Sequence, residues 1–338
     1  MHVNPTRVPS RRQALLLSAG TVASLLAPAV LAQALPATST GYPDRAVKIV
    51  VPFAPGAGTD AMARLVAQKL GEVMNAPFVV DNRAGASGAI GTQYVAQAPP
   101  DGYTLLLAAS PFTTVAASIP SANYDPLRQF TPVGMIASGP LVWAANTKLP
   151  ANTMKELVAL AQQKPGALNY GSAGAGGVNH LVLELLKART GTFITHIPYR
   201  GIAPATMDMI GGQIELVTGT IPALLPFIKN GSIKPLAVTS AKRSSALPDV
   251  PSMLEAGLGG IDVVNYFALM APTGTPPAVV NTLNAAINKV VALPEVVARF
   301  RADAVEAAPG SPGLLGRFIE ADYRAWRDVV KMQNLKIE

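Results

Sequence analysis

The 338-residue sequence contains no cysteine, which removes a disulfide framework, a thiolate nucleophile and every thiolate metal centre from consideration. It has only three histidines, none in an H-E-x-x-H run, which argues against a metal centre of ordinary ligand type. Charged side chains make up 14% of the chain and no basic run is interleaved with aromatics, so nucleic-acid binding has no support. Neither a G-x-S-x-G elbow nor a G-x-x-x-x-G-K-[ST] loop occurs, which lowers the case for hydrolysis or phosphoryl transfer. Past residue 32 no apolar run approaches the roughly 18 residues needed to cross a bilayer.

The one long uncharged stretch is N-terminal. Ser10-Arg11-Arg12-Gln13 leads into an Ala- and Leu-rich segment over 14–32, the pattern of an export signal, and the paired arginines resemble a twin-arginine signal. Val30 and Ala32 supply the residues for cleavage before Gln33, with a cut after Ala37 as the alternative. A retained anchor is disfavoured because Ser18, Gly20, Thr21, Ser24 and Pro28 dilute the hydrophobicity. Removing 1–32 leaves 306 residues, about two ordinary domains, and lowers the formal charge from +7 to +4. That mild excess suits a small anion, and equally a solvated basic surface.

Short apolar runs alternate with helical patterns through the remaining chain, which predicts an α/β fold with mainly parallel strands. The first set is strand 47–51, helix 59–74, strand 78–81, helix 87–98 and strand 104–108. Two apolar stretches, 132–137 and 141–145, then follow without a helix, which marks a crossing into a second set. That set runs from a capping box at Thr153 and Glu156 through strand 168–170, helix 178–190, strand 193–197, helix 203–210 and strands 213–217 and 234–239. The run 261–270 reads as the return crossing, followed by helix 278–291, a short strand near 304–306 and an amphipathic helix over 313–331. Two crossings imply two lobes, one from 41–141 with 267–338 and the other from 142–266.

The most informative feature occurs twice. A strand runs into a glycine-rich turn and out into a helix at Val51-Pro52-Phe53-Ala54-Pro55-Gly56-Ala57-Gly58-Thr59-Asp60, and again at Tyr170-Gly171-Ser172-Ala173-Gly174-Ala175-Gly176-Gly177-Val178-Asn179-His180. Free N–H groups at a helix N-terminus make an anion site, and glycines let a ligand approach them. Two such elbows point to two lobes facing one small anion. The first elbow also fits the G-x-G-x-x-A variant of the dinucleotide fingerprint, with Asp81 at the end of the next strand. An exported NAD(P)-dependent oxidoreductase is therefore the alternative, although Asp60 would repel a pyrophosphate and Pro52 and Pro55 stiffen the turn.

Each candidate residue has a structural explanation beside the functional one. Asp60 either complements the helix dipole or faces the cleft. His180 either packs between helix and strand with a nitrogen on the backbone or donates to a bound carboxylate. Ser87, in the third glycine-rich turn at 82–88, caps a helix or touches ligand. Arg200 is solvated, bridges a hinge or forks onto a carboxylate.

Taken together these residues resemble the solute receptors of tripartite tricarboxylate transporters, the Bug receptors. The resemblance rests on Tyr42-Pro43-Asp44-Arg45, Val51-Pro52-Phe53-Ala54-Pro55-Gly56, Thr59-Asp60, Asp81-Asn82-Arg83-Ala84-Gly85-Ala86, Asp101-Gly102-Tyr103-Thr104-Leu105, His196-Ile197-Pro198-Tyr199-Arg200-Gly201 and Ala271-Pro272-Thr273-Gly274-Thr275-Pro276. It implies a two-lobed Venus flytrap of the type II kind, each lobe a mixed sheet flanked by helices. It also implies a periplasmic, monomeric, non-enzymatic receptor without cofactor that captures di- or tricarboxylates or acidic amino acids for membrane transporter subunits or a sensor kinase. The implied ligand-facing residues are Phe53, Gly56, Ala57, Gly58, Thr59, Asp60 and Ser110 on one side, with Ser172, Gly174, Gly176, Gly177, Asn179, His180, Tyr199, Arg200 and Asp208 on the other. The chain departs from the family pattern at Ala57, usually glycine, at Gly177, often serine or threonine, and at Tyr266, often tryptophan, so the identity of the ligand does not transfer from relatives.

Overall fold

The computed structural model describes residues 41–56 and 58–337; the expected export segment, Ala57 and Glu338 lie outside the described residues. The chain opens with β1 (Val47–Val51), in which four of the five residues are buried, as a parallel strand covered on both faces requires. Then come α1 (Gly58–Met74), β2 (Phe78–Asn82), α2 (Ala89–Ala96), β3 (Thr104–Ala109) and α3 (Pro111–Ser118). β4 (Phe130–Asn146) leads to a second run: α4 (Met154–Gln163), β5 (Asn169–Ser172), α5 (Val178–Thr190), β6 (Thr195–Pro198), α6 (Ile202–Gly211), β7 (Leu216–Thr220), α7 (Ile221–Lys229) and β8 (Ile233–Val238). The return strand is β9 (Val264–Pro272), followed by α8 (Pro277–Val291), α9 (Pro294–Ala302), β10 (Glu306–Ala307) and α10 (Pro312–Met332).

The two runs repeat one topology. β1, β2 and β3 are parallel in the spatial order β2-β1-β3, and β5, β6 and β7 are parallel in the order β6-β5-β7. Each unit thus reverses direction beside its first strand, and ligands of open α/β sheets bind outside the carboxyl ends of strands at such a switch point. β9 pairs antiparallel with β3, and the 17-residue β4 joins the halves. Its first part pairs with β9 as far as Pro140 opposite Val264, and from Leu141, opposite Thr220, it pairs with β7 and β8.

The two apolar stretches expected at 132–137 and 141–145 are therefore one continuous strand. Gly139 fits between them because a side chain there would meet the Ala304 carbonyl at 2.6 Å. The buried apolar residues separate correspondingly. One group gathers β1, β3, β9, α1 and α8 around Ile49, Leu105 and Ile287, and another gathers Trp143, Tyr170, Leu181 and Leu216. α10 serves both sides, with Leu315 and Ile319 packed beside Tyr266 and with Trp326 and Val329 packed among the second group.

Three short helices, α3, α7 and α9, lie where the sequence pattern predicts none. Each has a proline in its first turn, where the missing N–H costs nothing and the fixed φ favours the helix. β7 lies a few residues later than the strand expected at 213–217. Ser87 does not cap α2: Gly88, in the left-handed region at φ 99°, holds the N-cap position.

Candidate functional site

The parallel strands of both units end at the crossing. Register carries Val50 across Leu106 to Met270 in one half and Gly171 across Val217 to Ala144 in the other. Each elbow strand thus stops a few residues short of the Ser138–Leu141 segment of β4, and the turns that follow β1, β3, β5 and β7 converge there.

The first elbow is closed by its own acid. Asp60 is 3% exposed; its Oδ2 accepts the Gly56 N–H and the Arg64 Nε–H, each at 2.9 Å, and its Oδ1 accepts from Asn82 Nδ2 at 2.9 Å. Asn82 also donates to the Phe53 carbonyl at 3.1 Å. Hydrogen bonds from Arg64, Gly56 and Asn82 hold the Asp60 carboxyl down at about 2 despite its burial. Asp60 is therefore a clasp for the turn, and the Gly56 amide is committed to it. The exposed Gly58 and half-buried Thr59 remain at the open end of α1.

The second elbow is held by a hydroxyl and two stacked imidazoles. Ser172 Oγ lies 2.6 Å from His196 Nε2 and accepts the Gly174 N–H at 3.1 Å. The Gly176 N–H is donated to His180 Nδ1 at 3.1 Å, and the two imidazoles stack at 3.8 Å. Burial, reinforced by His180, lowers His196 to about 4. His180, on α5, is 5% exposed and is stacked on His196 of β6 with Nδ1 on the Gly176 N–H, the arrangement its structural reading describes. Asn179 donates to the Thr218 carbonyl. Gly174 and Gly176 occupy left-handed φ values of 137° and 76°, and a side chain at Gly176 would strike Ser118 Oγ at 2.9 Å. α3 thus reaches the second elbow from the first half, with Ser118 Oγ 3.3 Å from the Gly176 carbonyl.

The other expected residues divide. Ser110 is 2% exposed and ties β3 to the return strand, accepting the Tyr266 N–H at 3.2 Å with Oγ 2.9 Å from Asn265 Oδ1. The Tyr199 hydroxyl donates to Asp208 at 2.8 Å, bracing the loop before α6. Arg200 is exposed, and no acid lies within ion-pairing distance of it among the described residues. Arg83, in the third glycine-rich turn, stacks on Tyr94 at 3.5 Å and pairs with Asp81 at 3.0 Å, so that turn's cation is already engaged.

A cavity of about 150 Å³ opens at the crossing, lined by Gly58, Ala61, Met62, Gly139, Pro140, Thr220, Ile221, Pro222, Asn265 and Phe267 among others. Here the second half contributes the β7–α7 turn rather than the 173–177 turn. Thr220 stands at the N-terminus of α7 without capping it. Thr220 and Asn265, which line this cavity, were not singled out from the sequence; for Thr220 the signal was the repeated strand–helix–strand order, which puts the turn after the third strand of each unit beside the turn after the first.

The sequence profile described as "Tripartite tricarboxylate transporter family receptor" matches residues 62–335. Protein BugT of Bordetella pertussis is 37% identical over 307 residues, 90% of this chain and 94% of that one. Among solved structures, R. palustris Rpa4515 with adipate is 37% identical, with a TM-score of 0.76 over 87% of this chain and 99% of the other. MatC from Rhodopseudomonas palustris with bound malate is 30% identical, with a TM-score of 0.74 over 86% and 100%. The periplasmic binding protein BugD is 33% identical, with a TM-score of 0.74 over 88% and 100%. The likeness bears out the two-lobed α/β fold of a periplasmic binding protein expected for this chain, and the dinucleotide alternative finds no support among these relatives. At the first elbow, Asp60 already holds the Gly56 amide that a pyrophosphate would need. This protein is a non-enzymatic solute-binding receptor, and it belongs to the tripartite tricarboxylate transporter receptor family.

Proposed function

We propose that the protein captures a small carboxylate in the periplasm, as a monomer, between a lobe formed by 41–141 with 267–338 and a lobe formed by 142–266. It then delivers the carboxylate to integral membrane transporter subunits or a sensor kinase. The carrying observation is the duplicated switch-point topology, whose carboxyl strand ends and helix N-termini meet at one crossing. Adipate in one relative and malate in another support a carboxylate as the ligand class.

In this reading Gly58 and Thr59 offer amides from α1, and Gly174, Gly177 and the first turn of α5 offer them from the other side. Asp60, Ser110, Ser172, Asn179, His180, Tyr199 and Asp208 hold those turns in shape. Arg200 supplies the free cation for a second carboxylate. Each helix terminus contributes about 0.3–2 kcal/mol, whereas micromolar affinity needs about 8 kcal/mol. Several donors must therefore act together with exclusion of water by closure.

Thermal shift with mono-, di- and tricarboxylates and acidic amino acids tests the proposal. A rise in midpoint with at least one member is expected; folded, ligand-free protein that responds to none of them refutes it.

A further inference from the structure

Beneath the second elbow, three α5 side chains lie on one stripe. His180 and Glu184 are 5% and 2% exposed, and Lys187 is largely buried. Glu184 Oε1 receives Lys187 Nζ at 2.8 Å and lies 3.6 Å from His180 Nε2, while Oε2 has no hydrogen-bond partner among the described residues. One oxygen therefore answers to both neighbours. The Gly176 N–H, 3.1 Å from His180 Nδ1, can only donate, so Nδ1 carries no proton and the neutral ring bears its hydrogen on Nε2, toward Glu184. The other groups around the ring are His196 of β6, stacked at 3.8 Å with Ser172 on its Nε2, and Tyr170 of β5, whose hydroxyl donates to the Asn179 carbonyl. From α3, Ser118 approaches the Gly176 carbonyl.

We propose that Lys187, Glu184 and His180 form a positioning relay for the second elbow: Glu184 fixes the His180 tautomer, His180 Nδ1 holds the Gly176 N–H, and the adjoining amides of Gly177, Val178 and Asn179 are thereby aimed at the ligand. A proton on Nδ1 turns the acceptor into a donor, sets N–H against N–H and releases Gly176. Lys187 and Glu184 act through His180, and Lys187 tunes the relay through the shared oxygen. Only the binding arm of the test below rests on the carboxylate reading.

Burial pushes the Glu184 carboxyl up, but the Lys187 ammonium at 2.8 Å and His180 at 3.6 Å outweigh it and hold it below the usual range, so it is anionic when the relay operates. Removing Lys187 leaves that anion to His180 alone, whereas neutralising Glu184 takes it away from both neighbours.

The decisive measurement is long-range proton–nitrogen NMR of ligand-free protein labelled at histidine and glycine. His180 is expected as the Nε2–H tautomer, with the Gly176 amide resonance changing when the ring takes a proton. Lys187→Met and Glu184→Gln should change the response of the Gly176 amide to acid in opposite senses. A bulk packing role would not move the two in opposite directions. His180→Asn, which keeps an acceptor beside Gly176, should abolish the titration of that amide. An Nδ1–H tautomer, shifts of the same sign, or a Gly176 amide indifferent to His180 overturns the relay. Should Glu184→Gln fail to fold, Lys187→Met and His180→Asn decide.

For the binding arm, adipate affinity by calorimetry should fall about three- to tenfold more between pH 7.5 and 5.5 in the wild type than in His180→Asn. Equal losses count against the relay. Absence of adipate binding at both pH values counts against the ligand class instead, and the resonances still decide the relay.

Discussion

The two elbows occupy equivalent places in two copies of one topology, yet they are held by opposite chemistry. The first is clasped by a buried anion with three donors converging on it, so its geometry is tied to a charge that persists over almost the whole pH range. The second is held by a hydroxyl and two stacked imidazoles, of which His196 is kept neutral by burial, with the Glu184–Lys187 pair set behind them. Backbone topology decides where an anion can be met. The side chains behind the turn decide how rigidly, and at what pH, the amides are presented.

Breaking the first clasp should have the largest effect. Asp60→Ala leaves Gly56, Asn82 and Arg64 without their common acceptor and is expected to destabilise the fold by about 2–4 kcal/mol. Carboxylate binding should also fall below detection, because the turn loses its shape. Denaturant unfolding measures the first effect and calorimetry the second. A variant as stable as the wild type would show that the clasp contributes nothing to the turn.

Arg200 should behave in the opposite way, because it is exposed and pairs with no acid among the described residues. Arg200→Ala is expected to lower affinity for a dicarboxylate about ten- to a hundredfold, as loss of a charge-assisted hydrogen bond does, while leaving the thermal midpoint unchanged. An affinity loss of the same size for a monocarboxylate would place Arg200 on the first carboxylate rather than the second.

How much of this was legible in the sequence follows from the range of the forces involved. Both elbows, the long crossing and the α/β alternation could be read, because each is a local pattern of apolar runs punctuated by glycine and proline. α3, α7 and α9 were hidden because their opening prolines look like breakers when the helix they begin is only eight or nine residues long. The orientation of Asp60 and His180 was not legible at all. Whether an acid at the start of a helix turns in or out depends on Asn82, which lies 22 residues away and arrives through strand pairing. Thr220 stayed invisible because its importance comes from the spatial order of strands, which no local window contains.

Lowering the pH should separate the elbows. His196, free to take a proton near 6.5 when unfolded and near 4 when folded, contributes stability that is complete above about 6.5 and is lost as pH falls toward 4. Asp60, ordinarily near 3.8 and held at about 2, contributes stability that is complete above about 4 and is lost only as pH falls toward 2. Between pH 6.5 and 4 the second elbow should therefore loosen first, seen as faster amide exchange at 173–180 than at 53–60 relative to neutral pH. His196→Gln should reduce that difference, and equal acceleration at both turns would erase the contrast drawn between them.

The smallest expected effect sharpens the comparison from the other side. Gly177 caps α5 without a side-chain hydrogen bond, at φ −75° and ψ 166°, a conformation open to any residue, and a side chain there meets nothing closer than the Gly174 carbonyl at 3.7 Å. Gly177→Ser should therefore enter without strain and add a capping hydroxyl, raising stability by a few tenths of a kcal/mol. If that hydroxyl faces the cleft, carboxylate affinity should rise about three- to tenfold as well; if it bonds the α5 amides instead, affinity should fall, because the cap competes with the ligand for the same donors. Either sign shows whether the second elbow, which has no acid of its own, leaves its amides open for the ligand's acid.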